Sequence, residues 1–226
     1  MPFVPRFLKS FRKQGPIGAL RFVGHWVNEK FHERRLGIRS AGFISLRDLG
    51  FRDDCYSYEP ITYGSVFTAL EALKLRPGTE VFIDYGCGMG RALIAAATYP
   101  FKRVMGVELS EELSEIARAN AARSAPRLRC STIEVVTTDA TAFVPPDDVT
   151  VVLLNNPFSE ELVRQVLAHL LASLERAPRP LTVLFRFPEW ATDSLEGHPA
   201  FRFRAEQRTF SEAGERLRIY EAVPRS

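Results

Sequence analysis

The sequence predicts an α/β protein, a doubly wound and mostly parallel β-sheet with a helical extension ahead of it. Three observations carry the prediction. Short apolar runs at Val81–Ile83, Val104–Val107, Ile133–Val136, Val151–Leu154 and Leu181–Phe185 alternate with stretches long enough to hold helices, the pattern of successive βαβ units. Several of these runs give way to a polar residue: Asp84, Glu108, Asp139 a little past the third, and Asn155 with Asn156. Between the first run and the helix expected to begin near Arg91 lies a glycine-rich stretch, Asp84-Tyr85-Gly86-Cys87-Gly88-Met89-Gly90.

The elements follow in order. Phe3, Phe7 and Phe11 recur at helical spacing, and after the Gly15-Pro16 break Ile17, Leu20, Val23, Val27 and Phe31 do so again, which predicts two amphipathic helices, the second ending near Gly37. Arg6, Lys9, Arg12 and Lys13 lie among the first set and Arg34, Arg35 and Arg39 follow the second. Residues 1–50 carry a net charge of +7 and the rest of the chain −4, so the overall +3 conceals a basic N-terminal quarter. We read that quarter as a helical cap docked on the main domain with a solvated basic face. A surface for nucleic acid or an acidic partner, or an interfacial membrane helix, are the alternatives. A further helix is expected from Tyr63 to Leu75, with Val66, Leu70 and Leu73 on one face. Ser110-Glu111-Glu112 and Ser159-Glu160-Glu161 each set a hydroxyl and two acids before an apolar periodic run, as helix starts favour. Phe201–Arg208 and Arg216–Val223, separated by Gly214 and polar residues, read as a closing antiparallel hairpin. The expected division is a basic helical segment over residues 1–55, a lid or substrate-selecting element, and a ligand-binding domain over 56–226.

Composition sets limits on function. With 226 residues, 46% hydrophobic and 25% charged, the chain has the make-up of one well-cored globular domain with an appendage, not of a disordered or fibrous protein. No apolar run reaches the ~20 residues of a membrane-spanning helix. Cys55, Cys87 and Cys130 are far apart, with neither disulfide pairing nor metal-ligand spacing, so no metal site is expected and a reducing cytoplasm fits. Prolines and basic residues interrupt the apolar stretch that a secretory leader would need.

In open α/β sheets ligands bind beyond the carboxyl ends of the strands, where the polar residues listed above gather. The glycine loop lacks the GK[ST] ending of a P-loop, which disfavours nucleoside triphosphate hydrolysis. A dinucleotide fingerprint would need glycine at position 91, where Arg91 stands. Asp84, two residues before the first glycine, would repel a pyrophosphate but suits an ammonium group, which S-adenosylmethionine carries. Glu108 is placed to accept from both ribose hydroxyls of either ligand, and Asp139 with Ala140 to meet an adenine edge. Cys87 needs no catalytic reading, since a small side chain suits the loop.

At these residues the chain resembles the class I S-adenosylmethionine-dependent methyltransferases, whose Rossmann-like domain is a seven-stranded sheet with an antiparallel last strand. The resemblance spans about Tyr58 to Val223: IDYGCGMG resembles the first motif, VMGVELS the acidic second-strand motif, TTDATAF the adenine motif and LLNNPF the fourth-strand motif. RRLGIRSAGF followed by YEPITYGSVFTALEAL is similar to a bacterial group of such enzymes with no assigned substrate. The YEPITY stretch is similar to a segment that lids the cofactor in seven-strand histone-lysine methyltransferases.

The resemblance implies that Asp84, Gly86, Gly88, Gly90, Glu108 and Asp139 bind the cofactor, with Tyr85, Cys87, Leu109, Ala140 and Asn155 beside them. It implies that Asn156, Pro157 and Phe158 position the acceptor. Amine-methylating relatives carry Asn/Asp-Pro-Pro-aromatic there; this chain has one proline, which weakens the amine inference and leaves room for a simple turn. Methyl transfer to an N or O nucleophile of a small molecule or protein side chain is the expected reaction, giving S-adenosylhomocysteine. Tyr63 is a candidate to line or lid the pocket, and with His25 and His32 a candidate base. Phe158, Trp26 and Trp190 could form an aromatic platform, although core packing suits the tryptophans better. The rival readings are a non-catalytic adenosine-ligand module, an NAD-dependent oxidoreductase, and a nucleic-acid methyltransferase using the basic segment.

Overall fold

The computed structural model describes residues 3–42, 60–155, 159–187, 193–208 and 216–222. Seven strands form one sheet in the order β3-β2-β1-β4-β5-β7-β6. They are β1 Val81–Tyr85, β2 Arg103–Glu108, β3 Ile133–Thr137, β4 Val151–Asn155, β5 Thr182–Phe187, β6 Phe201–Arg208 and β7 Arg216–Ala222. β1 to β5 are parallel, whereas β7 pairs antiparallel with both β5 and β6. The fold class expected from the apolar runs is the one observed, including the closing hairpin as far as Ala222.

The helices are α1 Phe3–Leu36, α2 Tyr63–Glu71, α3 Arg91–Ala97, α4 Glu111–Ser124 and α5 Glu160–Arg176. α1 is broken at Gly15 (φ 67°, ψ −162°), a conformation that glycine adopts cheaply, and Pro16 starts the second limb where its missing N–H costs nothing. The two expected N-terminal helices are these two limbs. α2 begins where Thr62 Oγ1 accepts from Ser65 N and stops at Glu71, short of the expected Leu75. Ser110 caps α4 by accepting from Leu113 N; Ser159 precedes α5 without a side-chain cap bond.

Every residue of β1 is buried, as both faces of a parallel sheet are covered. Val81, Ile83 and Tyr85 face a core layer completed by α5 residues such as Val166 and Leu170. Phe82 faces the opposite layer, with Leu70 of α2 and Leu93 of α3. α3 reads Arg-Ala-Leu-Ile-Ala-Ala-Ala, and its small buried side chains let it lie close to the sheet. A third cluster of Leu36, Ile38, Tyr63 and Ile94 joins the end of α1 to α2 and α3, so the basic segment is docked on the domain. The boundary expected between residues 55 and 56 lies outside the described residues. Among the described residues, no helix is long and apolar enough to cross a membrane.

Candidate functional site

The strand order reverses between β1 and β4, the position at which an open α/β sheet leaves a crevice at its carboxyl edge. Asp84 and Tyr85 end β1, Glu108 ends β2, Asp139 and Ala140 follow β3, and Asn155 ends β4. The fold thus brings to one edge residues that span more than seventy positions of sequence.

The loop after β1 is built by its glycines. Gly86, Gly88 and Gly90 have φ of 75°, 53° and 79°. A Cβ on Gly90 would lie 3.1 Å from Ala117 Cβ, so this glycine also lets α3 pack against α4. Gly86 N and Cys87 N donate to Val107 O, and Gly90 N donates to Cys87 O. Gly88 N donates to Glu108 Oε2 at 2.8 Å, while Glu108 Oε1 accepts from Ser110 N at 3.0 Å. The loop amides are therefore largely engaged by the protein, and among the described residues no side chain caps the first turn of α3. Burial raises the Glu108 carboxyl, against the pull of the Ser110, Gly88 and Leu109 amides.

Asp84 is 2% exposed, and among the described residues its Oδ1 has no hydrogen-bond partner. Burial, reinforced by the charge of Glu108, pushes its pKa up to about 8. A buried acceptor left in this state is costly unless something occupies it. An ammonium donor fits it and a pyrophosphate does not. Each Glu108 oxygen accepts one amide bond and keeps a lone pair for a ribose hydroxyl. Asp139 Oδ1 accepts from Thr141 N at 2.8 Å and Thr141 Oγ1 at 2.7 Å, closing a turn that presents buried Ala140 beside the end of β2. The residues present fit an adenosine ligand that bears an amino acid.

The remaining candidates fall elsewhere or deeper. The Tyr85 ring lies in the core, edge-on to Phe143, so only its backbone borders the crevice. Cys87 is buried beside Gly106, and burial raises its thiol well above the ordinary value. Leu109 is half-buried next to Glu108. Tyr63 is fully enclosed: His32 stacks on it at 5.0 Å, the Arg91 guanidinium lies 4.6 Å from its ring centre, and burial pushes its pKa up to about 12. His32 is lowered by burial and then by Arg35, and packs between Phe31, Tyr63 and Phe67. His25 is half-buried on α1. Asn156, Pro157, Phe158, Trp190 and Cys55 lie outside the described residues. Among the described residues no cluster of His, Cys, Asp or Glu could hold a metal ion.

Two arginines escaped the sequence reading. Arg91, which entered only as the residue excluding a dinucleotide fingerprint, is 4% exposed and pairs with Glu29 and Glu33 of α1. Its Nε donates to Ser40 Oγ at 2.9 Å and its Nη1 to Ile61 O at 3.3 Å. The sign was Glu29 and Glu33, one turn apart and the only acids of an otherwise basic helix. Arg186, buried at the end of β5 and opposite Asn155 in the ladder, donates Nη1 to Asn155 Oδ1 at 2.6 Å. A strand of bulky apolar residues gave no sign of it.

Residues 82–180 match the family described as a methyltransferase domain. A comparison with curated proteins returns no match. Among solved structures the chain is similar to an RNA methyltransferase from Salinibacter ruber in complex with S-adenosyl-L-homocysteine, at 23% identity over 74% of this chain and 98% of that one, with a TM-score of 0.51. It is also similar to TrmN from Thermus thermophilus, at 24% identity over 72% of this chain and 49% of that one, with a TM-score of 0.57. A third is the ribosomal protein L11 methylase from Lactobacillus delbrueckii subsp. bulgaricus, at 20% identity over 68% and 75%, with a TM-score of 0.51. At these identities the likeness establishes the fold. The matched span and the sheet order support a class I, Rossmann-like methyltransferase with S-adenosylmethionine as its methyl donor.

Proposed function

We propose that this chain is an enzyme that moves a methyl group from S-adenosylmethionine to an N or O nucleophile of a small molecule or a protein side chain. The observation that carries the reading is Asp84, a buried carboxyl without a partner at the switch point of the sheet. When bound, the donor supplies a methyl carbon already activated by its sulfonium, so the protein's work is alignment and exclusion of water.

In this reading Asp84 accepts from the ammonium of the amino-acid portion, and Glu108 accepts from the ribose hydroxyls while holding Gly88 and Ser110 in place. Gly86 and Gly88 shape the cradle through their left-handed backbone, Gly90 lets α3 close against α4 behind it, and Asp139 with Ala140 borders the adenine. Asn155, held by Arg186, ends β4, and the next three residues in sequence, Asn156, Pro157 and Phe158, are assigned to position the acceptor. Tyr63 acts as a positioning residue through Arg91, whose neighbour Gly90 ends the loop. We place the enzyme in the cytoplasm, in keeping with the free, buried thiols of Cys87 and Cys130.

The test has two parts. S-adenosylhomocysteine at a hundredfold excess over its dissociation constant should stabilise the protein by about 2.7 kcal/mol. Labelled methyl should then pass from donor to a fraction of a cell extract. Stabilisation without transfer to any fraction would favour a binding module on the same fold, and stabilisation by NAD alone would revive the oxidoreductase.

A further inference from the structure

α1 docks by its charged side and shows its greasy side to water. On its second limb, Ile17, Leu20, Val27 and Phe31 are 67%, 74%, 52% and 58% exposed. Together with Gly24 they recur at separations of three and four, so they fall on one stripe of the helix. Around Gly24 no atom of the described residues, the helix's own backbone apart, lies within 4 Å of where a Cβ would stand, so none of them covers the middle of the stripe. On the first limb Val4, Leu8 and Phe11 repeat the arrangement, again exposed.

The charges divide by face. The acids of this segment, Glu29 and Glu33, are turned inward: Glu29 to Arg91 and Tyr63 N, Glu33 to Arg91 and Ser40. Arg12, Arg21, Arg34, Arg35 and Arg39 are exposed, and among the described residues none of them has an ion-pair partner. Among the described residues, the outward face is therefore apolar and cationic with no negative charge on it.

We propose that this outward face of α1 is a peripheral membrane-binding surface, lying on a bilayer of anionic lipids with Ile17, Leu20, Val27 and Phe31 in the headgroup–acyl boundary and the arginines at the phosphates. A bilayer satisfies both halves of the pattern: aliphatic side chains gain an apolar phase, and each guanidinium gains a lipid phosphate. A nucleic acid would take the arginines but leaves Ile17, Leu20 and Val27 without a partner. A second copy of the chain would set Arg21, Arg34 and Arg35 against their own equivalents. The stripe covers two heptads, below the three to four that sustain a coiled coil. With no helix among the described residues long and apolar enough to cross, the proposal lays α1 in the plane of the surface. This surface is distinct from the methyl-donor crevice and does not depend on the reading given to it.

The experiment is sedimentation of the full chain with vesicles, either of phosphatidylcholine alone or of equal parts phosphatidylcholine and phosphatidylglycerol. We expect binding to the anionic vesicles only, weakening as salt is raised. Arg34→Gln with Arg35→Gln should lower the affinity about fivefold for each arginine. Leu20→Gln with Phe31→Gln should lower it at least as far, with the melting temperature of both variants unchanged because the sites are exposed. The proposal is overturned if anionic vesicles are not bound, or if either variant pair binds them as the parent does. It is equally overturned if the chain forms a dimer that Leu20→Gln dissolves, or if it binds RNA with an affinity indifferent to Leu20→Gln and Phe31→Gln in place of vesicles.

Discussion

The guanidinium of Arg91, one residue past the glycine loop, is paired with the carboxylate of Glu29 on α1, sixty-two positions earlier. Glu29 also caps the start of α2 by accepting from Tyr63 N at 2.9 Å. The N-terminal segment and the end of the glycine loop thus meet at one buried side chain.

Removing that side chain should release α1. Arg91→Met leaves half-buried Glu29 without its cation and buried Glu33 with only Lys30, a cost of about 3 kcal/mol. Chemical denaturation should show that loss, and limited proteolysis should cut α1 in the variant while sparing it in the parent. Arg91→Lys should recover only part, since a single ammonium cannot reach Glu29, Glu33 and Ser40 together. An uncut α1 in Arg91→Met would refute the clamp.

Acid should weaken the same junction. Burial alone would raise Glu33, but the Ser40 amide and the charges of Arg91 and Lys30 outweigh it and hold the carboxyl below its ordinary value. A lowered acid contributes stability above its unfolded pKa and loses it as pH falls through the folded one. The docking of α1 should therefore weaken on acidification below the ordinary glutamate range, and Glu33→Gln should remove that dependence. The fluorescence of Trp26 on α1 is a convenient monitor.

Asp84 carries the opposite sign. Its raised pKa means that the ligand-free fold loses stability as pH climbs from the ordinary aspartate value through about 8. Asp84→Asn, which mimics the protonated acid, should flatten that slope. S-adenosylhomocysteine binding needs the carboxylate, so affinity in the parent should strengthen as pH rises toward about 8. The variant should bind at least ~10-fold more weakly, the worth of a hydrogen bond to a charged group. Methylthioadenosine, which lacks the amino-acid part, separates the two acids. Asp84→Asn should leave its affinity unchanged, whereas Glu108→Ala should weaken both ligands. Calorimetric titration of the two variants with the two ligands decides the orientation.

Gly106 is a packing requirement. A Cβ there would meet Cys87 Sγ at 2.6 Å, so Gly106→Ala should cost about 2 kcal/mol and loosen the loop. Adding Cys87→Ala should recover much of that cost, and a double-mutant cycle that found the two changes additive would show that the contact does not matter.

Much of this was readable in the chain, and the exceptions share a cause. The central parallel strands announce themselves because, buried on both faces, they must be short and apolar, and the loop because its glycines take left-handed angles at successive turns. Gly15-Pro16 broke the N-terminal helix where expected. Arg91 and Arg186 were invisible because a buried arginine is defined by partners that only the fold supplies, from α1 in one case and β4 in the other. The internal engagement of the loop amides was hidden for the same reason: Val107 O and Glu108 are their acceptors, and neither is near in sequence. Periodicity located the apolar positions of α1 but assigned them to the docked side, whereas the helix is held by Glu29, Glu33, Leu36 and the enclosed Tyr63 beneath them.

The seal over Cys87 gives the protein a clock. With its thiol 4% exposed, packed on Gly106, and poorly ionised, reaction with a thiol reagent must wait for the loop after β1 to part from β2. The rate at which that sulfur is modified therefore counts openings of the donor cradle, and a ligand bridging Asp84 and Glu108 across the two strands slows the count in proportion to its occupancy.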